Sequence, residues 1–290
     1  MHSLLFSLIL LFAALPAQNK GPVQTAHRRS PYVGAIAIDV QSGRVLREDN
    51  SNKECYPASC TKLMTLRLTL KAIKEGKLDL EDRVYASRVA IQEKPSSLGL
   101  KEGESISVKS ALGAIMVKSA NDAAVMLAEK VAGSKAAFIE MMNEEARALG
   151  MTSTKYVTPN GYPPGASKRG YDVSTAADLA KLGLAILKEQ PEALEYTSII
   201  TLNIPEIKAR DGRLLDMQNH NNFLWKKQWR MKEVDGLKTG YHDAGGSSIV
   251  LTGSRQGKRA LVVVVGSASA VERDTAAGRL MSDALGALVW

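Results

Sequence analysis

Three short motifs follow one another along the chain and together predict an acyl-transfer site: Ser59-Cys60-Thr61-Lys62, Ser119-Ala120-Asn121 and Lys238-Thr239-Gly240. A serine hydroxyl is a weak nucleophile until a base removes its proton. Residues three apart on a helix share a face, so Lys62 can reach the hydroxyl of Ser59. Lys62 must be neutral to act as a base, and burial together with the Lys238 cation would lower its pKa. The pattern therefore indicates a serine acyltransferase in which lysine replaces the more familiar histidine.

The same segments also offer donors for a developing oxyanion. Ser59 at a helix N-terminus keeps its own backbone N–H free. The N–H of Tyr241, just past Gly240 on a predicted edge strand, would be the second donor. A glycine at position 240 lets a substrate backbone approach closely.

Each motif also has a structural explanation. The first fits the start of a surface helix, Ser119 or Asn121 fits a helix N-cap, and Lys238-Thr239-Gly240 fits the end of a strand. The functional interpretation depends on the three occurring together, each in the expected local context.

Periodicity and turn signals place these motifs on an α+β framework. Apolar residues at helical spacing predict a helix from Ser59 to the stop at Gly76, and Ser174 is predicted to cap a helix that runs to Ile186. Alternation, β-branched residues and turns predict a hairpin and three later strands, and Gly and Pro predict a long loop. The remaining predicted helices cover 108–117, 121–131, 135–149 and 271–289. The predicted strands cover 33–40, 44–47, 235–240, 247–253 and 260–266, and the predicted loop covers 152–171. The last helix is predicted to place Val271, Leu280, Met281, Ala284, Leu285 and Leu288 on one apolar face. This order predicts an antiparallel sheet flanked by helices with an inserted helical lobe.

The N-terminus predicts export. The apolar run 4–15, broken by Pro16 and followed by Ala17, is typical of a signal peptide over residues 1–17, although no Lys or Arg precedes it. The run is too short to span a bilayer, which leaves a retained anchor as the alternative. Residues 18–30 are predicted to be a flexible segment and 31–290 a single two-lobed domain without a C-terminal β-domain. We therefore expect an exported, periplasmic or extracytoplasmic protein with no transmembrane segment after cleavage.

Composition narrows the class of partner. The net charge of +8 suits an anionic cell-wall polymer or membrane surface, and for an exported protein these fit better than nucleic acid. A merely solubilising charge explains it equally well. The two cysteines, Cys55 and Cys60, do not make a disulfide scaffold, and Cys60 is expected to pack as a small hydrophobic residue. The four histidines show no metal-ligand spacing, and the chemistry requires no metal or organic cofactor.

The chain resembles the low-molecular-mass penicillin-binding proteins of the serine D-Ala-D-Ala carboxypeptidase family. The resemblance is carried by the segments 57–65, 119–124 and 234–240, with support from Asn219-His220-Asn221, Leu224-Trp225 and 174–180. It implies a β-lactamase/transpeptidase-like fold and a site for peptidoglycan stem peptides that end in D-Ala-D-Ala. β-Lactams would be covalent inhibitors of that site.

The resemblance also implies roles for individual residues. Ser59 would be acylated, Lys62 would be its base, and Ser119 would relay a proton to the leaving amine. Asn121 would hold the peptide amide of the substrate. Lys238, Thr239 and Arg273 would recognise the terminal carboxylate, although Arg273 also fits a solvated charge on the last helix.

Some positions depart from the family pattern, and some activities stay open. Asn160-Gly161 stands where the family usually has His-Gly, His220 where a basic residue is common, and Tyr241 where histidine is frequent. The same site could serve a carboxypeptidase, a DD-endopeptidase or a DD-transpeptidase. A serine β-lactamase is less favoured because residues 146–188 contain no glutamate to activate a deacylating water. A non-catalytic wall-binding protein is disfavoured because the catalytic side chains are all present.

Overall fold

The computed structural model describes residues 30–162, 170–207 and 214–289. The predicted signal peptide, nearly all of the segment 18–30 and the Pro163-Pro164-Gly165 turn lie outside these ranges. The strands are β1 (Gly34–Asp39), β2 (Val45–Asp49), β3 (Arg83–Tyr85), β4 (Ser105–Ser107), β5 (Thr201–Leu202), β6 (Met217–Gln218), β7 (Val234–His242), β8 (Gly246–Arg255) and β9 (Lys258–Ser267).

The helices include every one that the sequence predicts. They are α1 (Lys62–Lys74), α2 (Val108–Val117), α3 (Asn121–Ala132), α4 (Lys135–Ala148), α5 (Ala176–Glu189), α6 (Ala193–Thr197), α7 (Asn222–Trp225) and α8 (Ala270–Val289). Among the described residues, no helix is both long and apolar enough to cross a bilayer.

Five strands form an antiparallel sheet in the order β2-β1-β9-β8-β7. Its centre is built from β-branched residues: Val262, Val263, Val264 and Val265 in β9 are all 0% exposed. Alternate residues of a strand point to opposite faces, so Val263 and Val265 pack towards the main helical layer while Val262 and Val264 pack under α8. Helices cover both faces of the sheet. The strand β7 stands last in the strand order and is therefore an edge strand, and it carries Lys238, Thr239 and Gly240. The predicted α+β architecture is confirmed.

Three local predictions are wrong in detail. The α-helix begins at Lys62, because Ser59 lies in a preceding 3-10 turn, Ala58–Thr61. The N-cap of α5 is Thr175, whose hydroxyl accepts from the N–H of Asp178, while Ser174 forms an isolated β-bridge with Cys55. Val271 is 61% exposed and does not join the apolar face of α8, whose buried members begin at Ala276.

Candidate active site

The turn that carries Ser59 is held between two glycines. A Cβ atom on Gly240 would lie 2.5 Å from the carbonyl oxygen of Pro57 and 3.1 Å from the nitrogen of Ser59. A Cβ atom on Gly161 would lie 1.8 Å from the carbonyl oxygen of Ala58. Gly161 also has a φ of +79°, which L side chains rarely adopt. Both positions therefore need glycine for the turn to reach its place beside β7.

Lys62 lies against Ser59 and is surrounded by oxygen acceptors. Its Nζ is 3.1 Å from Ser59 Oγ, 2.8 Å from Asn121 Oδ1 and 2.6 Å from the backbone oxygen of Asn160. Lys62 is 0% exposed, so no part of its amine faces bulk water. The three acceptors match the three hydrogens of an ammonium. When the amine loses one proton, two N–H groups remain to donate, and its lone pair can accept from the third partner.

The electrostatic setting favours the neutral amine. Burial first, and then the Lys238 ammonium, hold the pKa of Lys62 well below the usual value for lysine. Lys238 is itself 1% exposed, and burial lowers its pKa to about 8. The two shifts therefore favour the neutral form of Lys62, while Lys238 stays predominantly cationic near neutral pH.

Ser119 and Asn121 stand at the junction between α2 and α3. Ser119 has a φ of +59°, a left-handed conformation that is uncommon outside glycine, and it is 4% exposed. The N-cap of α3 is Ala120, so neither side chain caps the helix, and that structural explanation is wrong. With Asn121 Oδ1 engaged by Lys62, its Nδ2 makes, among the described residues, only a 3.5 Å contact with the Lys94 carbonyl. The Asn121 amide nitrogen is therefore available to a ligand.

Ser59, Ser119, Asn121 and the strand residues line one cleft of about 320 Å³. Thr239, Gly240, Tyr241 and Arg273 form part of its wall, and His220 stands at its edge. Lys238 is buried next to the lining residue Thr239 and donates to its carbonyl at 3.1 Å.

Arg273 is 5% exposed, so it is not a solvated surface charge. Its Nε and Nη2 both bond Asp274 Oδ1, at 2.8 and 2.7 Å. Because Arg273 also lines the cleft, its guanidinium is held in place as a fixed positive group there.

Two residues that depart from the family pattern take distinct places. Tyr241 is 61% exposed, and its hydroxyl donates to Asp243 Oδ1 at 2.8 Å. His220 is exposed at the cleft mouth, yet the protein crowding its ring and the Lys238 charge lower its pKa to about 4. His220 is therefore neutral at physiological pH and does not supply the positive charge common at this position.

Cys60 packs inside the protein next to the nucleophile. It is 0% exposed, and burial raises the pKa of its thiol to about 11. Cys55 is also buried, and both are free thiols. A neutral thiol is a poor nucleophile, so the hydroxyl of Ser59 is the better candidate.

Sequence reasoning missed Asp172, which anchors the loop behind Lys62. Its carboxylate accepts from the hydroxyls of Thr61 and Thr158, at 2.9 and 2.7 Å, and from the N–H groups of Val157 and Thr158, at 2.7 and 2.9 Å. Asp172 is 111 positions from Thr61, so no local pattern connects them. The sequence also shows no sign of the hydrogen bond that Glu93 accepts from Asn160 Nδ2 at 2.9 Å.

The cleft brings together a desolvated lysine beside a serine hydroxyl, a second serine and fixed positive charges. These are the groups that acyl transfer to a serine requires. Similarity to known proteins agrees with this chemistry. A sequence profile of the D-alanyl-D-alanine carboxypeptidase family, peptidase S11, matches residues 25–269. The chain is 30% identical over 291 residues to the D-alanyl-D-alanine carboxypeptidase DacF of Bacillus subtilis, covering 97% of this chain and 69% of that protein. It is 29% identical over 262 residues to a D-alanyl-D-alanine endopeptidase of Pseudomonas aeruginosa, covering 87% and 78%.

The fold has a solved counterpart in Penicillin-Binding Protein D2 from Listeria monocytogenes in its ampicillin-bound form. The TM-score is 0.75 at 30% identity, over 88% of this chain and 97% of that one. The chain spans 56–70% of the length of four curated carboxypeptidases that it matches. The resemblance drawn from the three motifs is confirmed, and the chain belongs to the D-alanyl-D-alanine carboxypeptidase family of low-molecular-mass penicillin-binding proteins.

Proposed function

We propose that this protein is a serine D-Ala-D-Ala carboxypeptidase that acts on peptidoglycan stem peptides through an acyl-enzyme on Ser59. The observation that carries the proposal is the 3.1 Å contact between Ser59 Oγ and the Nζ of a fully buried Lys62. An exposed lysine would be protonated and could not accept a proton at neutral pH. Burial beside Lys238 lowers the pKa of Lys62 and so favours the neutral amine that the step needs.

In the first step the neutral Lys62 takes the proton of Ser59 Oγ as that oxygen attacks the carbonyl of the penultimate D-Ala. With two N–H groups directed at Asn121 Oδ1 and Asn160 O, the lone pair of Lys62 faces the serine. The N–H groups of Ser59 and Tyr241 are the proposed donors to the oxyanion. Ser119 then gives its proton to the leaving amine and takes the one held by Lys62, so the C–N bond breaks, D-Ala departs, and Lys62 is neutral again.

The second step hydrolyses the acyl-enzyme and restores the free enzyme. Water adds to the ester carbonyl as the neutral Lys62 takes one of its protons, the bond to Ser59 Oγ breaks, and Lys62 passes that proton to the serine oxygen. The shortened stem peptide leaves with a new carboxylate. No described carboxylate lines the cleft, which differs from enzymes that hold a glutamate there for rapid deacylation.

Recognition of the terminal carboxylate is proposed for one end of the cleft. Thr239 and Arg273 both line the cleft, and the buried Lys238, next to Thr239 in the chain, adds positive potential. Asn121 Nδ2 is available for a carbonyl of the donor peptide, which would lie along the open edge of β7.

A DD-endopeptidase is the second candidate, because a relative of that name matches 87% of this chain. The two activities use the same acyl-enzyme and differ only in the leaving group. We also propose that β-lactams acylate Ser59, as the solved relative in its ampicillin-bound form suggests. Both proposals place the protein outside the cytoplasm, where peptidoglycan lies and where the predicted leader would direct it.

The direct test is release of D-alanine from a synthetic stem peptide that ends in D-Ala-D-Ala, with Ser59→Ala as the control. We expect release by the wild type and none by the variant. A cross-linked stem-peptide dimer in parallel separates the two candidates, since cleavage of the dimer alone would replace the carboxypeptidase with the endopeptidase. Equal release by the Ser59→Ala variant would overturn both.

A further inference from the structure

Glu93 contacts the active site through one intermediary. It follows the 3-10 turn Ala90–Gln92, and its side chain is 15% exposed. One carboxylate oxygen, Oε2, accepts from Asn160 Nδ2 at 2.9 Å. The other oxygen forms an ion pair with Lys135, the first residue of α4. Glu93 therefore connects α4 to the loop that carries Asn160.

Asn160 is engaged at each of its polar side-chain atoms. Its Nδ2 donates to Glu93, and its Oδ1 accepts from the N–H of Tyr162 at 2.9 Å. Asn160 is 0% exposed, so no water replaces a lost partner without rearrangement. Its backbone oxygen is the 2.6 Å acceptor for Lys62.

The position of that oxygen decides how Lys62 acts as a base. A neutral amine has two N–H groups and one lone pair, and the lone pair points to Ser59 only if both N–H groups are held elsewhere. The two available acceptors are Asn121 Oδ1 and Asn160 O. If Asn160 O moves away, an N–H of Lys62 can turn towards Ser59, and the amine then donates where it must accept.

We propose that Glu93 is a positioning residue for acylation: through Asn160 it holds the carbonyl that directs the lone pair of Lys62 at Ser59. This inference rests on the proposed function. Asparagine stands at position 160, where the resemblance leads one to expect histidine. The amide supplies a donor to Glu93 and an acceptor to Tyr162 with one planar group.

The charge of Glu93 adds a second effect that can be measured. Lys62 is faced by Lys238 from β7, by Asp172 from the loop before α5, by Cys60 from the 3-10 turn and by Glu93. Burial and Lys238 lower the pKa of Lys62, the carboxylates of Asp172 and Glu93 raise it, and Cys60 is a neutral thiol. Removal of the Glu93 charge should therefore lower that pKa further and let Lys62 remain neutral in more acidic solution.

The deciding variant is Glu93→Gln, which keeps the shape and can still accept from Asn160 Nδ2. The measurement is the second-order rate constant for acylation by benzylpenicillin as a function of pH. We expect the acidic limb of this pH profile, where the rate falls as Lys62 is protonated, to lie at lower pH in Glu93→Gln than in the wild type. Glu93→Ala also removes the acceptor, and we expect its limiting acylation rate to fall about 10-fold, the size of one lost buried hydrogen bond. Non-covalent affinity for the drug should stay at the wild-type value.

Lys135→Met is the matched control, because it breaks the same ion pair and leaves the Glu93–Asn160 hydrogen bond. We expect it to lose thermal stability but keep the wild-type limiting rate, with its acidic limb shifted to higher pH. A purely structural Glu93 predicts that its two variants lose stability and keep the acylation rates and pH profiles of the wild type. Wild-type rates and pH profiles in both Glu93 variants, with lowered unfolding temperatures, would overturn the inference. Failure of the wild type itself to be acylated would instead overturn the proposed function.

Discussion

Replacement of Gly161 by alanine tests whether the Ser59 turn must pack as closely as the structure shows. The new Cβ would lie 1.8 Å from the carbonyl oxygen of Ala58, where contacts under 3.0 Å are essentially never seen. Relief needs a shift of about 1 Å in the backbone next to the nucleophile, and a misplacement of that size costs on the order of 100-fold in rate. The left-handed φ adds about 1 kcal/mol of destabilisation, and the overpacking about 1–3 kcal/mol.

Gly133→Ala provides the matched control. Gly133 has a φ of +77°, close to the +79° of Gly161, but a Cβ there meets nothing within 4 Å. We expect Gly133→Ala to lose about 1 kcal/mol and to be acylated at the wild-type rate. The assays are urea unfolding and the rate constant for acylation by benzylpenicillin. Equal losses of stability in the two variants, or wild-type acylation by Gly161→Ala, would refute the packing argument.

Three substitutions and one pH series probe the base, the site for the substrate carboxylate and the supporting loop. Lys62→Ala should retain the fold by circular dichroism but lose acylation by about 100-fold or more, and normal acylation would remove lysine from the mechanism. In the wild type, the acylation rate should fall in acid as Lys62 is protonated. Binding that depends on the substrate carboxylate should weaken above about pH 8 as Lys238 loses its charge. An acylation rate and a binding affinity that both stay constant with pH would contradict the two assignments. Arg273→Ala should reduce kcat/KM for a peptide with a free C-terminal carboxylate by about 10- to 100-fold and change little for the amidated peptide, so an equal loss for both would exclude that role. Asp172→Ala leaves four donors without their acceptor and should cost about 3 kcal/mol or more in urea unfolding, whereas a loss below about 1 kcal/mol would show that the loop does not depend on it.

Much of the framework follows from local patterns. The three late strands and the helices α2, α3 and α4 coincide with the predicted segments to within a few residues. Apolar periodicity is a local property, so a single sequence is enough to show it. The contact between Ser59 and Lys62 was likewise expected from their spacing, although a 3-10 turn rather than an α-helix carries the serine.

The remaining features depend on contacts between distant segments. Ser174 and Thr175 are both good N-caps, and only the bridge between Ser174 and Cys55 decides in favour of Thr175. Glu93 meets Asn160 across 67 positions, and no spacing rule relates the two. The loops that surround Lys62 are therefore the part of the site that the three-dimensional structure adds.

The central claim is that Ser59 is the acylated nucleophile. The most direct measurement is the intact mass of the purified protein after incubation with benzylpenicillin, beside a Ser59→Ala control. We predict that the wild type gains the mass of one drug molecule in a lasting adduct and that the variant gains none. An adduct of the same mass on the Ser59→Ala variant, or an unmodified wild type beside intact drug, would contradict the account.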